Sequence, residues 1–367
     1  MTARVLVIGA YGNFGSHITR KLAQNSAIQV IAAGRSEEKC RALAAQYSNA
    51  PNPVQYHVCD IHQDFAAALA AVKPHIVIHT SGPFQGQDYA VAKACIAQGC
   101  HYIDLADSRD FVAGIGALDA QAKARGVAVI SGASSVPALT AAVVDHHLPQ
   151  FGTLAEIDYG ITTAQRTNTG LATTQAVLSY AGKPFTTRID GEEATVYGWQ
   201  GLTAHKYPHL GWKLLGNCDI PDLALFTQRY PALRTIRFRA GLEIALIHFS
   251  LWALTWLVRW GLISSLAPLS AILLRLSRIF DRLGSDRSAF HMTLRGTGHD
   301  GAAKKMQFHL LAQSGHGPFI PSTPAILCAQ RLARGELQFT GAMPCIGLIT
   351  LQDYLHALDE FDIRAIQ

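Results

Sequence analysis

The stretch Arg4-Val5-Leu6-Val7-Ile8-Gly9-Ala10-Tyr11-Gly12-Asn13-Phe14-Gly15-Ser16-His17-Ile18 decides the fold. Arg4 to Ile8 is a short apolar run, the pattern of a strand covered on both faces. Three glycines follow at spacing GxxGxxG, and a helical pattern opens at Phe14 and runs to Gln24. Each glycine has a task. Gly9 permits a tight turn, Gly12 lets backbone approach a pyrophosphate, and Gly15 lets helix pack closely on strand. The helix start adds N–H donors and a partial positive charge, so Gly9, Tyr11, Gly12, Asn13, Phe14 and Gly15 are expected to hold dinucleotide phosphates.

The same beat continues outward. Apolar runs at 29–33, 54–58, 75–79, 102–105 and 127–130 alternate with helical patterns at 37–47, 65–72, 88–97 and 113–125. Gly99 and Gly126 stand where helix C-caps want glycine. Six strands separated by helices predict an α/β fold, an N-terminal Rossmann doubly wound parallel sheet. With 367 residues there is room for a second domain. Past residue 136 the beat changes, with strand-like 156–163, 290–296 and 306–313 and a helix at 172–180. We expect domain 1–135, a second α+β domain over 136–322, and a C-terminal return of 323–367 onto the first. In that return Thr323 caps a helix, Pro324 takes its first position, and Gly335 follows its end.

The end of the second strand bears on which cofactor is bound. An NAD site wants Asp or Glu there, but this chain reads Ala32-Ala33-Gly34-Arg35-Ser36. A guanidinium at Arg35 suits a 2′-phosphate, with the Ser36 hydroxyl beside it, so the cofactor is expected to be NADP(H). Asp60, after the third strand, can accept from an adenine amino group or close a turn. Thr80-Ser81-Gly82-Pro83 follows the fourth strand and is expected to pass beside the ribose. Asp104 and Asp107, at the end of the fifth strand, are expected at the nicotinamide, as proton donors or orienting groups, or else as caps. His79 and His101 are the other titratable candidates. Tyr89 and Lys93 match Tyr-x-x-x-Lys, but they follow the fourth strand, where that motif has no catalytic place. No arrangement identifies the catalytic residue.

The run Ser81-Gly82-Pro83-Phe84, followed by Ala94-Cys95-Ile96-Ala97-Gln98-Gly99-Cys100-His101-Tyr102-Ile103-Asp104, resembles the saccharopine dehydrogenase-like family. The likeness is close over 1–135 and loose over 155–367. It implies an NADP-type Rossmann domain, a second α/β domain and a terminal return. One departure stands out. Where saccharopine-forming members carry an acidic Asp-Pro-Gly turn, this chain has Ser134-Ser135-Val136-Pro137-Ala138, which reads instead as a helix start capped by Ser134 or Ser135. The missing acid argues against an amino-acid substrate.

Composition excludes several classes. The net charge is +5 with Lys and Arg scattered, which speaks against nucleic acid. Seven cysteines without a CxxC pair speak against a disulfide framework or a zinc site, and no metal is expected. The first strand begins at once, which leaves no signal segment and points to the cytoplasm. The unusual feature is 244–280. Residues 244–258 and 260–274 are uncharged and rich in Leu, Ile and Trp, but each is too short to span a bilayer, and Pro268 interrupts the second. Trp252, Trp256 and Trp260 with Arg259, Arg275, Arg278 and Arg282 suit a helix lying in a membrane interface. A buried homodimer interface and a tunnel for a lipid-like substrate remain as alternatives. We therefore expect an NADP-dependent oxidoreductase acting on an apolar or lipid-like small molecule. The alternatives are a dehydrogenase of a C–N bond in an amino-acid conjugate, with Arg166, Lys183 and Arg188 as carboxylate clamps, and a cofactor-binding sensor or membrane-peripheral scaffold without turnover.

Overall fold

The computed structural model describes residues 2–63, 65–167 and 170–366. The chain forms two compact units, 1–142 with 318–350, and 143–317 with 351–367.

In the first unit, strands β1 (Ala3–Ile8), β2 (Ile28–Gly34), β3 (Gln55–Val58), β4 (Ile76–His79), β5 (His101–Asp104) and β6 (Ala128–Ser131) lie in the order 3-2-1-4-5-6. All are parallel, and Gly341–Pro344 adds a seventh parallel strand beyond β6. The expected doubly wound sheet is therefore present. Its central strands are apolar on both faces because helices cover both, and Val5, Leu6, Val7, Val77 and Ile78 are fully buried. The helix Asn13–Ala23 lays Gly15, Ile18, Leu22 and Ala23 on the sheet. Gly99 and Gly126 adopt φ values of 71° and 66°, the left-handed conformation a C-cap needs.

The terminal return differs from expectation in two ways. Its helix runs from Phe319 to Ala333, so Thr323 and Pro324 lie inside it. The hydroxyls of Ser322 and Thr323 donate to the carbonyls of Pro318 and Phe319, supplying hydrogen bonds in a turn interrupted by prolines. Phe319 packs on the His17 ring and under the Arg20 guanidinium, fastening this helix to Asn13–Ala23. Gly335 does follow the end, with φ 68°. The second difference is that only 318–350 joins the first unit; 351–367 belongs to the second.

The second unit is built on β7 (Thr153–Thr163), β8 (Pro184–Ile189), β9 (Glu192–Tyr197), β10 (Thr203–Tyr207), β11 (Gly211–Asn217), β12 (Thr235–Leu242), β13 (Ser288–Thr297) and β14 (Ala303–Ala312). Its main sheet has the order 10-11-12-7-13-14, extended by Ile363–Ile366. The β12–β7 pair is parallel and the other pairs are antiparallel, while β8 and β9 form a separate hairpin. One face is apolar core, with Ile157, Tyr159, Ile236, Phe238, Met292, Leu294 and Phe308 buried. The other carries charge: Arg237 and Arg295 both pair with Glu156, and Arg239 pairs with Asp158. On this face the β10–β11 hairpin brings His205 into a stack on His291, centroids 3.6 Å apart. The Tyr207 hydroxyl and His291 Nδ1 share a hydrogen bond of 2.8 Å. Gly160 is what lets His291 lie flat: a Cβ there would come 3.0 Å from its ring. Burial holds His205 and His291 neutral, their pKa values pulled down to about 4 and about 2.

Candidate functional site

The glycine loop is built as a cradle. Gly9 has φ 76°, and a Cβ on it would meet the Thr80 and Ser81 hydroxyls at 2.7 and 2.8 Å. A Cβ on Gly15 would strike the Gly9 carbonyl oxygen. Gly12 is exposed, donates from its N–H to the Gly9 carbonyl at 2.8 Å, and occupies the helix cap position without a side chain. The N–H groups of the first turn, Phe14 and Gly15 among them, therefore have no capping side chain. Such a helix start fits an anionic phosphate. The first turn holds no acidic residue to repel one.

The wall beyond the loop is Thr80-Ser81-Gly82-Pro83. The Thr80 hydroxyl donates to Ile8 O at 2.8 Å and so ties the end of β4 to that of β1. The next two fastenings were missed in the sequence. Gln87 donates from Nε2 to the carbonyls of Ser81 (3.0 Å) and Pro83 (2.7 Å) and faces His79 Nε2 at 3.3 Å. His79 in turn accepts at Nδ1 from the Ser81 N–H. Burial lowers the His79 pKa to about 4, so it is a neutral strut under this loop rather than a proton carrier. A glutamine a few residues past a Gly-Pro turn has no sequence signature, so nothing in the pattern marks Gln87.

At the end of β2, Arg35 is exposed and the Tyr11 ring covers Gly34, where a Cβ would meet it at 2.5 Å. The Tyr11 hydroxyl accepts from the Ser36 N–H, and the Lys39 ammonium sits 5.7 Å from the ring centroid. Lys39 is a second cation beside Arg35 that the strand-end reading overlooked. The Ser36 hydroxyl is used differently from expectation: it accepts from the Lys39 N–H as the cap of helix Glu37–Ala45. Asp60 closes a local turn, accepting from the His62 N–H at 3.0 Å.

Asp104 is corrected from cofactor contact to support. It is wholly buried, and its Oδ1 accepts from Ala106 N–H, Gly132 N–H and the Ser131 hydroxyl, knitting β5 to β6. Desolvation raises its pKa to about 6 despite those donors. His101 is likewise structural, its Nδ1 accepting from the Ala128 N–H at the opposite end of the sheet. Asp107 differs. It is half-exposed at the rim, accepts from Gln85 Nε2 at 3.1 Å, and has its pKa raised by desolvation. The Tyr89 hydroxyl donates to Phe111 O at 2.7 Å while Lys93 points to solvent, which removes the Tyr-x-x-x-Lys reading.

Ser134 takes the cap position expected of it, but no side chain caps the turn. Val136 is still extended, so the helical path starts at Pro137, where the Thr140 hydroxyl donates to the Pro137 carbonyl. In the second unit, two of the three expected carboxylate clamps hold backbone carbonyls, while Lys183 is exposed. Arg166 donates to Asp281 O and Arg188 to Leu233 O. Among the described residues, no cluster of three or more His, Cys, Asp or Glu could hold a metal ion.

Residues 5–130 match the model of the saccharopine dehydrogenase NADP binding domain, so the resemblance read from Ser81–Phe84 and Ala94–Asp104 holds over those residues. No curated protein matches the chain. Among solved structures, apo saccharopine dehydrogenase (L-Glu forming) from Saccharomyces cerevisiae aligns over 100% of both chains, with 12% identity and a TM-score of 0.69. Amine dehydrogenase from Mycobacterium smegmatis aligns over 94% of this chain and 95% of that one, with 10% identity and a TM-score of 0.51. At these identities the likeness is one of fold.

Proposed function

We propose that this chain, whose first unit is an NADP-binding domain of the saccharopine dehydrogenase type, is an NADP-dependent oxidoreductase acting on an apolar substrate. The observation that carries the cofactor assignment is the loop at Gly9–Gly15, backbone-lined, uncapped and shaped so that side chains would fill it. The chain's groups fit NADP(H) part by part. Phe14 and Gly15 N–H groups would hold the pyrophosphate, with Gly12 giving it close approach. Arg35, with Lys39 behind it, would hold the 2′-phosphate, a doubly basic strand end in place of the acid an NAD site uses. Thr80 to Pro83, braced by Gln87 and His79, would fix the ribose side. When bound, the cofactor supplies the hydride. Asp107 is the rim group that would orient the nicotinamide end or hold a proton at its carboxyl.

The substrate reading has two supports. The turn at Ser134–Ala138 lacks the acid that saccharopine-forming members carry. Of the basic side chains in the second unit, Arg237, Arg239 and Arg295 are paired with Glu156 and Asp158, and Arg166 and Arg188 each donate to a backbone carbonyl, which leaves the exposed Lys183 as the clamp that the C–N alternative would rely on.

The experiment is calorimetric titration of NADPH and NADH into wild type and Arg35→Glu, followed by NADPH oxidation against paired panels of apolar carbonyl compounds and amino-acid conjugates. Wild type should prefer NADPH, and Arg35→Glu should reduce that preference by tenfold or more, the scale of a charge-assisted bidentate contact. An unchanged ratio removes Arg35 from the site. Binding without turnover on either panel favours the sensor reading, and turnover of the conjugates alone favours C–N chemistry.

A further inference from the structure

The segment 244–280 forms a helix at Ala245–Arg259, a 3-10 turn at Ala267–Leu269 and a helix at Ser270–Arg278. No helix among the described residues is long and apolar enough to cross a membrane. The second helix starts ten residues later than the uncharged run suggested, because Gly261, Pro268 and the residues between them break the path.

The two helices each bury one side and expose an apolar other side. In the first, His248, Thr255 and Val258 face inward. Projected at about 100° per residue, Leu246, Phe249, Ala253 and Trp260 fall within about 60° of one another on the opposite side. Leu246, Phe249 and Trp260 are 59%, 49% and 66% exposed. In the second, Ile272 and Leu276 are 56% and 51% exposed, and the stripe runs on past the helix through Ile279 and, in the 3-10 turn Asp281–Leu283, Leu283, at 72% and 77%; Leu262, in the connecting segment, is 66% exposed. Apolar residues scattered singly over a surface are ordinary, but two aligned stripes on successive helices are not.

Charge decides what covers these stripes. Between 244 and 280 there is no Asp or Glu. Arg275, Arg278 and Arg282 are exposed, flank the second stripe on one side, and form no ion pair among the described residues. Of the nearby acids, Glu243 and Asp281 are held by internal partners, and the exposed Asp286 is adjoined by the exposed Arg287. Glu243 accepts from Gln165 N–H and from the Ser285 N–H and hydroxyl, and Asp281 accepts from Gln165 Nε2. Arg259 is withdrawn from the basic set named from the sequence: it donates to Gln200 Oε1 at 2.6 Å and lies 3.9 Å from the Tyr197 ring centroid. A second copy covering the stripes by two-fold symmetry would bring both copies' three arginines into one interface, while residues 244–280 offer no acid to pair with them. An anionic lipid surface neutralises all three arginines and takes the leucines, isoleucines and Trp260 into its acyl boundary.

We propose that the outer faces of Ala245–Arg259 and Ser270–Leu283 are a docking surface for an anionic membrane, with the helices lying in the interface. Sedimentation of the full chain with phosphatidylcholine vesicles containing 30% phosphatidylglycerol, with Trp fluorescence recorded in parallel, tests it. Wild type should pellet with these vesicles, shift its emission to the blue, and be released by salt. The triple Arg275→Gln/Arg278→Gln/Arg282→Gln variant should partition about a hundredfold less, from roughly fivefold per arginine at a charged surface. Ile279→Ser/Leu283→Ser, at two highly exposed sites where folding is not at risk, should also lose binding. Both variants should keep wild-type NADPH affinity. Failure of wild type to bind the vesicles, or equal binding by wild type and variants, overturns the proposal. A dimer in sedimentation velocity that the serine variant dissociates, without vesicle binding, assigns the face to a second copy instead.

Discussion

Gly12 and Gly15 look alike in the sequence, yet the structure separates them, and the separation can be measured. A Cβ on Gly15 would strike the Gly9 carbonyl oxygen and lie 2.8 and 2.9 Å from the Gly9 carbonyl carbon and Ala10 Cα. All three are backbone atoms, so no side chain can turn away. Restoring ordinary contact parts the helix from the turn by more than half an ångström. Overpacking of a buried site costs about 1–3 kcal/mol, and the rigid neighbours place Gly15→Ala at the upper end. For a unit of this size that corresponds to a melting temperature lower by roughly 5–10 °C. A Cβ on Gly12 would meet only Gly9 O, at 3.0 Å, from an exposed position with φ −74°, so Gly12→Ala should melt within about 2 °C of wild type. That same Cβ stands where the pyrophosphate approaches, so NADPH affinity should fall at least tenfold, and Gly12→Val should abolish binding. The assays are thermal unfolding by circular dichroism and calorimetric titration of NADPH. Wild-type NADPH affinity in Gly12→Ala would refute the placement of the phosphates, and a wild-type melting temperature in Gly15→Ala the helix–turn contact.

Two further outcomes follow from buried polar groups. Asp104 has its pKa raised to about 6 from 3.8, so the folded state favours the protonated acid. The stability it contributes is complete below pH 4 and lost as pH rises to about 6, about 3 kcal/mol in all. Asp104→Asn, which keeps the Oδ1 acceptor, should therefore gain on wild type in chemical denaturation between pH 4.5 and pH 7; parallel pH slopes for the two proteins would count against it. Tyr207→Phe leaves buried His291 Nδ1 without its hydrogen-bond partner and should destabilise the second unit by about 1–3 kcal/mol in the same assay, with NADPH affinity unchanged. A loss below 0.5 kcal/mol contradicts the burial of that pair.

The first unit was legible because its signals are local. A strand, a glycine turn and a helix start within fifteen residues, and apolar strands recur at a steady interval. Strands β1 to β6 accordingly lie within two residues of their expected ends. The second unit was read only in part. Strands β8 to β11 carry polar and exposed residues, Glu192, Thr203, His205 and Lys206 among them, and offer no apolar run to find, whereas β12 does alternate, with Ile236, Phe238 and Ala240 buried between Arg237 and Arg239. Yet one signal was there to see. Asp190-Gly191, with φ 55° and 93°, is the two-residue turn of the β8–β9 hairpin, whereas Asp300-Gly301, a pair of the same type, sits in the longer loop between β13 and β14. At the site, Gly9 to Gly15 and Arg35 could be picked out by residue type and position. The supports could not, because Gln87, His79 and Asp104 acquire their tasks only when β4, β5 and β6 lie side by side.

Both sheets are closed by the last few dozen residues. Gly341–Pro344 completes the first beside β6, and Ile363–Ile366 completes the second beside β14. A nascent chain therefore carries six strands of the nucleotide-binding sheet through the synthesis of the whole intervening unit before the seventh arrives. For all that interval β6 is an open edge, able to pair with whatever strand it meets. Loop closure over such a separation is slow relative to the local hairpins of the second unit. A stop or proteolytic cut shortly before residue 341 thus injures both halves of the molecule at once, and expression of either half alone requires grafting its own piece of the tail.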